Sequence, residues 1–523
     1  MPARITFGDI QNRRWMKAVL WLLAGAVILF QLTSRLLYGS TDDLIYPALG
    51  VIVVIITIRI LNDWRDGFYI FLIWLLMEDL VRKYMGNNMA IYFGKDFLVG
   101  IAYISFLRAV RRRTARLFKP PFLVAFSLFF WVGVIQAFNP NSPSIIYSIL
   151  GVKLYFFYVP LLYLGYAIIE NEEDFRRFLV FNMGIAGVIA LLGIVQSIVG
   201  LSFLNPSELA PDLADLGNLT RYAPISGAEV SRPTSVFVSD GRFAAYMVLM
   251  FIVGLGTTGY LILRSRKGRG IVFTAVGLTA VGAIMSGSRG AFLYLVASAA
   301  IVSVAMLWGA PWRWRQGHRL VTSVQRSALF VVLGIVFVLL LFPDAILARW
   351  SFYTETLSPG SAAYELDVRA WDYPYSEFKL AFDNPHWATG NGIGTASLGM
   401  QYVTRIMHVP VTKIGVESGY GDILLELGVA GLLLWLAWTI SVILYSWSVV
   451  RRLKETPYFP IAFAILWFTF ILLVLDTFSG FQSFENYVNN AYLWLLLGIL
   501  FRLPALSEEY KSDTTHMKVS RAT

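Results

Sequence analysis

Long apolar stretches recur along the whole chain and constrain its fold more than any other feature. A hydrocarbon core of roughly 30 Å requires about 20 apolar residues in a helix. About fourteen stretches approach that length, at approximately 17–33, 45–61, 67–81, 96–110, 121–138, 145–169, 178–200, 243–263, 270–286, 290–309, 327–342, 420–449, 458–479 and 488–501. The pattern predicts an all-α polytopic integral membrane protein with about 12–14 transmembrane helices, because helices satisfy their own backbone hydrogen bonds in lipid.

Composition supports the same class and excludes several others. Hydrophobic residues make up 57% of the 523 residues and charged residues 15%, which argues against a soluble enzyme. The absence of cysteine excludes disulfides and thiolate chemistry, and four scattered histidines show no ligand spacing. We therefore expect no metal site built from cysteine or histidine, and composition alone leaves an all-carboxylate site open.

The net charge of +10 arises from short basic runs between the apolar stretches, which is typical of membrane topology and not of nucleic-acid binding. When the stretches are threaded alternately from a cytoplasmic N-terminus, most of the 43 Lys and Arg residues fall on the cytoplasmic side. The sequence thus predicts an uncleaved first helix, cytoplasmic termini and a polar cytoplasmic tail at 503–523.

Two loops on the opposite side, at about 200–242 and 343–419, are longer than simple connections require. The second loop is rich in aromatic residues, among them Trp371. Aromatic rings stack well on the apolar faces of sugars, but an interfacial aromatic belt explains them almost equally well.

Four arginines fall on the same side as these loops. Arg289 lies in Ser-Gly-Ser-Arg-Gly-Ala directly between two apolar stretches, Arg232 and Arg242 end the first loop, and Arg369 lies in the second. Guanidinium groups bind phosphate oxygens in a bidentate manner, so the cluster predicts a diphosphate site. The alternatives are snorkelling to lipid phosphates and pairing with acids such as Asp240, Asp367 or Asp372.

A transfer reaction at such a site also needs a proton acceptor. Glu417 precedes the helix that begins near Tyr420, and His408 and His386 lie in the same loop. Glu417 could instead stabilise the helix N-terminus electrostatically. The glycine-rich segment 384–394 is not a Walker or dinucleotide fingerprint, so nucleotide chemistry is not expected.

Taken in order, these motifs resemble the O-antigen ligase and Wzy polysaccharide polymerase superfamily. The resemblance covers roughly 230–435 and rests on Arg232-Pro-Thr-Ser, Ser286-Gly-Ser-Arg-Gly-Ala, Arg369-Ala-Trp, Gly392-Ile-Gly and Glu417-Ser-Gly-Tyr, followed by 424–432. Where the family often has His-Asn, this chain has Glu417-Ser418.

The resemblance implies a single membrane domain over 1–523, with N-terminal helices at 1–200 and a GT-C-like catalytic region at 230–435. It implies a bacterial inner-membrane glycosyltransferase, without metal or cofactor, whose periplasmic site moves a glycan from an undecaprenyl-diphosphate carrier to a saccharide acceptor. Arg232 and Arg289 would bind the diphosphate, supported by Arg369, with Arg242, Trp371 and Tyr420 as further binding residues. Glu417, or else His408, would be the base.

Further expectations concern the reaction, the partners and an alternative class of protein. A polymerase is favoured slightly over a ligase, and chain-length regulators or export proteins are expected partners besides the lipid bilayer; no nucleic acid is expected. A flippase or exporter is the alternative from another class, since Arg59, Glu78, Asp79 and Lys153 could line a charged cavity.

Overall fold

The computed structural model describes residues 42–211, 216–264, 267–311, 342–397 and 414–520. The predicted span at 17–33, almost all of that at 327–342, and His408 lie outside these ranges. The helices in the described part are α1 Asp42–Asn62, α2 Trp64–Tyr84, α3 Met89–Arg111, α4 Leu123–Gln136, α5 Ile145–Phe156, α6 Leu161–Ile168, α7 Glu172–Val199, α8 Asp240–Leu263, α9 Arg269–Met285, α10 Arg289–Gly309, α11 Pro343–Leu357, α12 Tyr373–Leu380, α13 Gly419–Arg452, α14 Phe459–Phe470 and α15 Tyr487–Ser520.

Short elements complete this architecture. Two strands, β1 Thr220–Tyr222 and β2 Glu229–Ser231, form an antiparallel hairpin in which Arg221 lies opposite Val230. Two segments, Val368–Asp372 and Ile471–Asp476, are π-helical. Short turns at Leu216–Leu219, Ala381–Asp383, Thr477–Ser479 and Gln482–Glu485 connect the longer elements.

Eight helical segments among the described residues are long and apolar enough to cross a membrane: Met89–Arg111, Ile145–Ile168, Glu172–Val199, Asp240–Leu263, Arg289–Gly309, Gly419–Arg452, Phe459–Ser479 and Tyr487–Glu508. Three shorter apolar helices, Gly50–Asn62, Leu123–Gln136 and Arg269–Met285, fall on further predicted spans. The prediction of an all-α multi-pass membrane protein is thereby confirmed.

Packing divides the chain into two units. The smaller unit contains Met1–Leu72 and Lys95–Arg112. Within it the rings of Trp64 and Phe106 meet edge to face at 5.1 Å, and the Ser105 hydroxyl donates to the Leu61 carbonyl at 3.5 Å. These contacts join the end of α1 and the start of α2 to α3 inside this unit.

The larger unit contains Ile73–Gly94 and Arg113–Thr523. Helices α8 and α15 lie at its centre, since 83% of the apolar window of each is buried, against 33% for α10. Buried aromatic rings of α4, α13 and α15 pack against one another. Phe126 meets Trp438 edge to face, and Trp438 stacks on Trp494.

Helix α13 is interrupted at Gly428, which has a φ of 69° that favours glycine. The interruption frees backbone carbonyls, and the glycine-rich segment supplies their donors: Asn391 N–H donates to Leu425 O at 2.7 Å and Gly392 N–H to Glu426 O at 3.1 Å. The Glu426 carboxylate accepts further from Ala396 N–H at 2.9 Å. The glycine-rich segment therefore docks on a broken helix.

Candidate functional site

The larger unit contains a cavity of about 530 Å³ beside the N-terminus of α10. Four arginines line it together with a carboxylate, small residues and apolar side chains: Arg221, Arg232, Ser288, Arg289, Gly290, Leu293, Tyr294, Thr356, Leu357, Glu365, Leu366, Arg369, Ala370, Leu475, Phe478 and Ser479. We call this space the arginine cavity. It brings together Arg232, Arg289 and Arg369, which the sequence places in three separate segments.

Arg232 follows directly on strand β2. Its backbone N–H donates to the Leu219 carbonyl at 2.8 Å, which extends the hairpin by one contact. Its guanidinium pairs with Asp240, the first residue of α8, and both side chains are mostly buried, at 12% and 17% exposed. The pairing of Arg232 with Asp240 that the sequence left open is therefore present.

Buried polar groups hold the turn that follows Arg232. The Lys83 ammonium donates to Thr234 Oγ1 at 2.9 Å and to the Ser235 carbonyl at 3.0 Å. Gln196 Oε1 accepts from the backbone N–H groups of Thr234 and Ser235, at 2.9 and 2.6 Å. Ser235 has a φ of 52°, a left-handed conformation that non-glycine residues adopt only when the surroundings enforce it. The backbone beside Arg232 is thus fixed before any ligand binds.

Arg289 is the first residue of α10, whose N-cap is Ser288. The preceding Gly287 has a φ of 63°, and a Cβ there would lie 2.9 Å from Val230 Cγ1 and 3.3 Å from Arg232 Cγ. Glycine at this position therefore allows the hairpin to approach the helix N-terminus. The small residues around Arg289 explain how two distant arginines come to share one cavity.

Glu365 supplies the carboxylate of the arginine cavity. Its Oε2 lies 2.6 Å from Arg289 Nη1 and 3.6 Å from Arg369 Nε. Arg369 lies in the π-helical segment Val368–Asp372, and the second π-helical segment contributes Leu475 to the same cavity. π-helical turns occur frequently at functional sites. Sequence reasoning missed Glu365 because it lies 76 residues from Arg289.

Arg221, on strand β1, is the second residue that sequence reasoning missed. Partial burial and the neighbouring charges of Arg232, Arg289 and Arg369 lower the pKa of its guanidinium. A hairpin signal was available, because proline and glycine separate two short β-prone runs between Tyr222 and Glu229.

The charges of the site do not cancel. Among the described residues, the four guanidinium groups of the lining face the carboxylates of Glu365 and Asp240, an excess of two positive charges over these two partners. Arginine forks match phosphate oxygens in bidentate geometry, and bonds to an ionised acceptor are stronger than neutral ones. The arrangement can therefore bind a doubly charged anion such as a diphosphate diester.

Arg242 lies outside the lining of the arginine cavity. Its Nη1 contacts Asp79 Oδ2 at 2.8 Å, and its guanidinium stacks on the Tyr487 ring at 4.6 Å. Asp79 also pairs with Arg82 at 3.0 Å, and both side chains are almost fully buried. Arg242 thus belongs to a buried charged cluster, although the sequence grouped it with the other three arginines.

Glu417 is exposed and also lies outside the cavity lining. Its carboxylate accepts a hydrogen bond from Tyr373, which raises the pKa of that phenol, and its backbone N–H donates to Glu377 at 2.9 Å. The Arg369 guanidinium lies over the Tyr373 ring at 5.3 Å. Tyr373 therefore bridges Glu417 and Arg369, since its hydroxyl contacts the carboxylate and its ring lies under the guanidinium.

The two aromatic candidates lie near the cavity wall. Trp371 is 63% exposed and its ring lies 5.3 Å from Phe478, which lines the cavity. The Tyr420 hydroxyl donates to the Val474 carbonyl at 3.4 Å. Trp371 is thus available to a ligand at the cavity edge. Tyr420 instead connects α13 to the π-helical segment Ile471–Asp476.

Comparisons with known proteins add no identification to this geometry. The chain matches no protein-family model, and the search of curated proteins gives no match either.

Proposed function

We propose that the chain is a membrane glycosyltransferase that transfers a glycan from an undecaprenyl-diphosphate carrier to a saccharide acceptor. The four guanidinium groups of the arginine cavity, with their excess of two positive charges, carry the proposal. They would bind the diphosphate of the donor and stabilise the negative charge that develops on the leaving group. By its resemblance to O-antigen polymerases, the protein would have a GT-C-like fold and act at the periplasmic side of the bacterial inner membrane.

A second cavity supports a lipid-linked donor. It has a volume of about 390 Å³, an almost entirely apolar lining, and shares Leu357 with the arginine cavity. Phe292, Trp350 and Tyr353 contribute aromatic surface to it. An anion site next to an apolar cavity suits an amphiphile whose charged group joins a hydrocarbon chain to a sugar.

Polymerase is our first choice of reaction, and a ligase that transfers finished polymer is the alternative. Both reactions need the same diphosphate site and differ in the acceptor. The exposed Trp371 at the cavity edge is a platform on which an acceptor sugar can stack.

The charged residues that would serve a flippase or exporter are either packed against aromatic rings or paired with opposite charges. The Lys153 ammonium lies over the rings of Tyr92 and Phe93 at 4.6 and 4.7 Å, and the Asp79 carboxylate contacts Arg82 and Arg242. Arg59 forms an exposed ion pair with Asp66. Packed and paired charges favour a structural role, so the transferase remains the preferred proposal.

The test is deletion of the protein in its own host, with complementation by the wild type, Arg232→Ala or Arg289→Ala. Carrier-linked and surface glycans are separated on a gel that resolves chain length. Loss of the long ladder with single repeat units retained indicates a polymerase, and long chains that persist on the carrier indicate a ligase. Repeat units trapped on the cytoplasmic leaflet would indicate a flippase. Wild-type glycans from both arginine variants would refute the proposal.

A further inference from the structure

We infer that Glu365 is the group that accepts the proton of the acceptor hydroxyl, an inference that rests on the proposed glycosyl transfer. Within the described part of the chain, Glu365 is the carboxylate that lines the arginine cavity. Its side chain is 39% exposed, so an acceptor entering from solvent can reach it.

The contacts of Glu365 place it where bond exchange would occur. Its Oε2 lies 2.6 Å from Arg289 and 3.6 Å from Arg369, the same guanidinium groups that would bind the donor diphosphate. A donor held by these groups brings its anomeric carbon, one bond from the phosphate oxygen, close to the Glu365 carboxylate.

A carboxylate paired with two guanidinium groups is a weak base while those contacts last. The reaction itself removes this obstacle. As the sugar leaves, negative charge develops on the diphosphate and draws the guanidinium groups of Arg289 and Arg369 toward it. The carboxylate then loses its partners and becomes more basic at the moment when the acceptor must lose its proton.

The step is balanced. The acceptor oxygen forms a bond to the anomeric carbon, and the bond between that carbon and the phosphate oxygen breaks, with its electron pair remaining on the diphosphate. The hydroxyl proton passes to Glu365. The carboxylate loses one negative charge while the leaving group gains one, so the total charge within the cavity does not change.

Two other carboxylates near the site, Asp240 and Glu417, are less well placed. Asp240 pairs with Arg232 and is absent from the cavity lining, with 17% of its side chain exposed. Glu417 accepts from Tyr373 and is likewise absent from the lining.

Two readouts on the full-length protein test the assignment. Glu365→Gln, Glu365→Asp and Glu417→Gln are each used to complement the deletion strain, and binding of inorganic pyrophosphate to the purified variants is measured by titration calorimetry. Asp344→Asn, which removes an exposed acid at the start of α11, is the matched control.

We expect Glu365→Gln to lower glycan output by about 100-fold or more, the usual contribution of a general base. The same variant should bind pyrophosphate at least as tightly as the wild type, because a competing carboxylate is removed. Glu365→Asp should restore part of the output, and Glu417→Gln should retain most of it. A residue with a merely structural role would lose output and pyrophosphate binding together.

Several outcomes would overturn the assignment: full output from Glu365→Gln, loss of pyrophosphate binding in that variant, or equal losses from Glu365→Gln and Glu365→Asp. Failure of the proposed function is distinguishable, because it appears in Arg232→Ala and Arg289→Ala. If those two variants bind pyrophosphate and produce glycan as the wild type does, the glycosyl-transfer proposal fails whatever Glu365 does.

Discussion

Arg232 and Arg242 lie ten residues apart in the sequence, but the fold places them in different surroundings. Arg232 lines the arginine cavity with three other guanidinium groups, whereas Arg242 contacts Asp79 in the buried charged cluster. In that cluster the carboxylates of Glu78 and Asp79 face Arg82, and the side chains of these three residues are at most 1% exposed. In the arginine cavity, Arg289 and Arg369 are 19% and 57% exposed and share one carboxylate.

The two regions show that one membrane protein uses charge in two ways. Charges that are buried and matched hold helices together, since any unpaired member would remain in a medium of low dielectric constant. Charges that line a cavity and outnumber their counter-charges are available to a ligand. Substitutions in the two regions should therefore affect different properties, stability in the first and binding in the second.

The largest effect is expected in the buried cluster. Asp79→Ala leaves Arg82 and Arg242 buried without their shared carboxylate, so we expect a loss of about 3–5 kcal/mol in the free energy of unfolding. Asp66→Ala is the control, because Asp66 lies on the same helix in an exposed ion pair with Arg59 and should cost under about 1 kcal/mol. Denaturant unfolding in detergent measures both. Equal losses would contradict the difference that we draw between buried and exposed pairs.

The second prediction compares an arginine from each region. Arg289→Ala should lower glycan output by about 100-fold, as for removal of a group that stabilises transition-state charge. Stability should change little, because the remaining partner Glu365 is 39% exposed and keeps Arg369 beside it. Arg242→Ala should instead lower the free energy of unfolding and leave glycan output per folded protein near that of the wild type, because it removes a partner of the buried Asp79. Output normalised to folded protein and denaturant unfolding are measured for each variant. If both variants lose output without loss of stability, Arg242 belongs to the binding site as the sequence predicted.

The third prediction concerns the approach of the hairpin to α10. Gly287→Ala places a Cβ 2.9 Å from Val230 Cγ1 at a φ of 63°, so we expect a cost of about 1–2 kcal/mol and weaker binding of pyrophosphate. Gly241→Ala, in the first turn of α8 and outside the cavity lining, is the control: nothing is within 4 Å of its added Cβ, and alanine favours the helix. Calorimetry with pyrophosphate should separate the two variants, and identical binding would show that the close approach does not shape the cavity.

The helices could be predicted from sequence because their lengths are set by the bilayer, and eight of the expected spans reappear as long apolar helices in the described ranges. Arg232, Arg289 and Arg369, which the sequence grouped on one side of the membrane, line one cavity. For Arg289 the signal was a guanidinium directly between two apolar stretches, which is costly unless it is paired. The glycine-rich segment with Gly390, Gly392 and Gly394 could be recognised from sequence. Its docking on the broken helix α13 could not.

Pairing across long separations could not be predicted. Nothing near Arg289 in the sequence indicates Glu365, and the register of the hairpin decides that Arg221 shares the cavity with Arg232. The assignment of Arg242 depends on Asp79, which lies 163 residues earlier. Local patterns reveal which residues are unusual, whereas the choice of partner is made by tertiary packing.

The smallest effect is expected where the hairpin that carries Arg221 and Arg232 meets α11. Glu355 accepts from the backbone N–H groups of Ile225 and Ser226 at 2.7 and 3.1 Å. The side-chain hydrogen bond from Ser226 and these backbone contacts lower the pKa of Glu355 below its ordinary value of 4.5. Because the folded-state pKa is the lower one, this stabilisation is present above pH 4.5 and is lost as the pH falls through the folded-state value.

Hydrogen exchange of residues 223–228, followed by mass spectrometry in wild type and Glu355→Gln, measures this contact. At neutral pH we expect exchange a few-fold faster in the variant, because a neutral amide accepts hydrogen bonds less strongly than a carboxylate. The difference should shrink as the pH falls and Glu355 becomes protonated in the wild type. A difference that stays constant from neutral to acidic pH would mean that the charge of Glu355 does not hold the hairpin, and that the arginine cavity keeps its wall through packing alone.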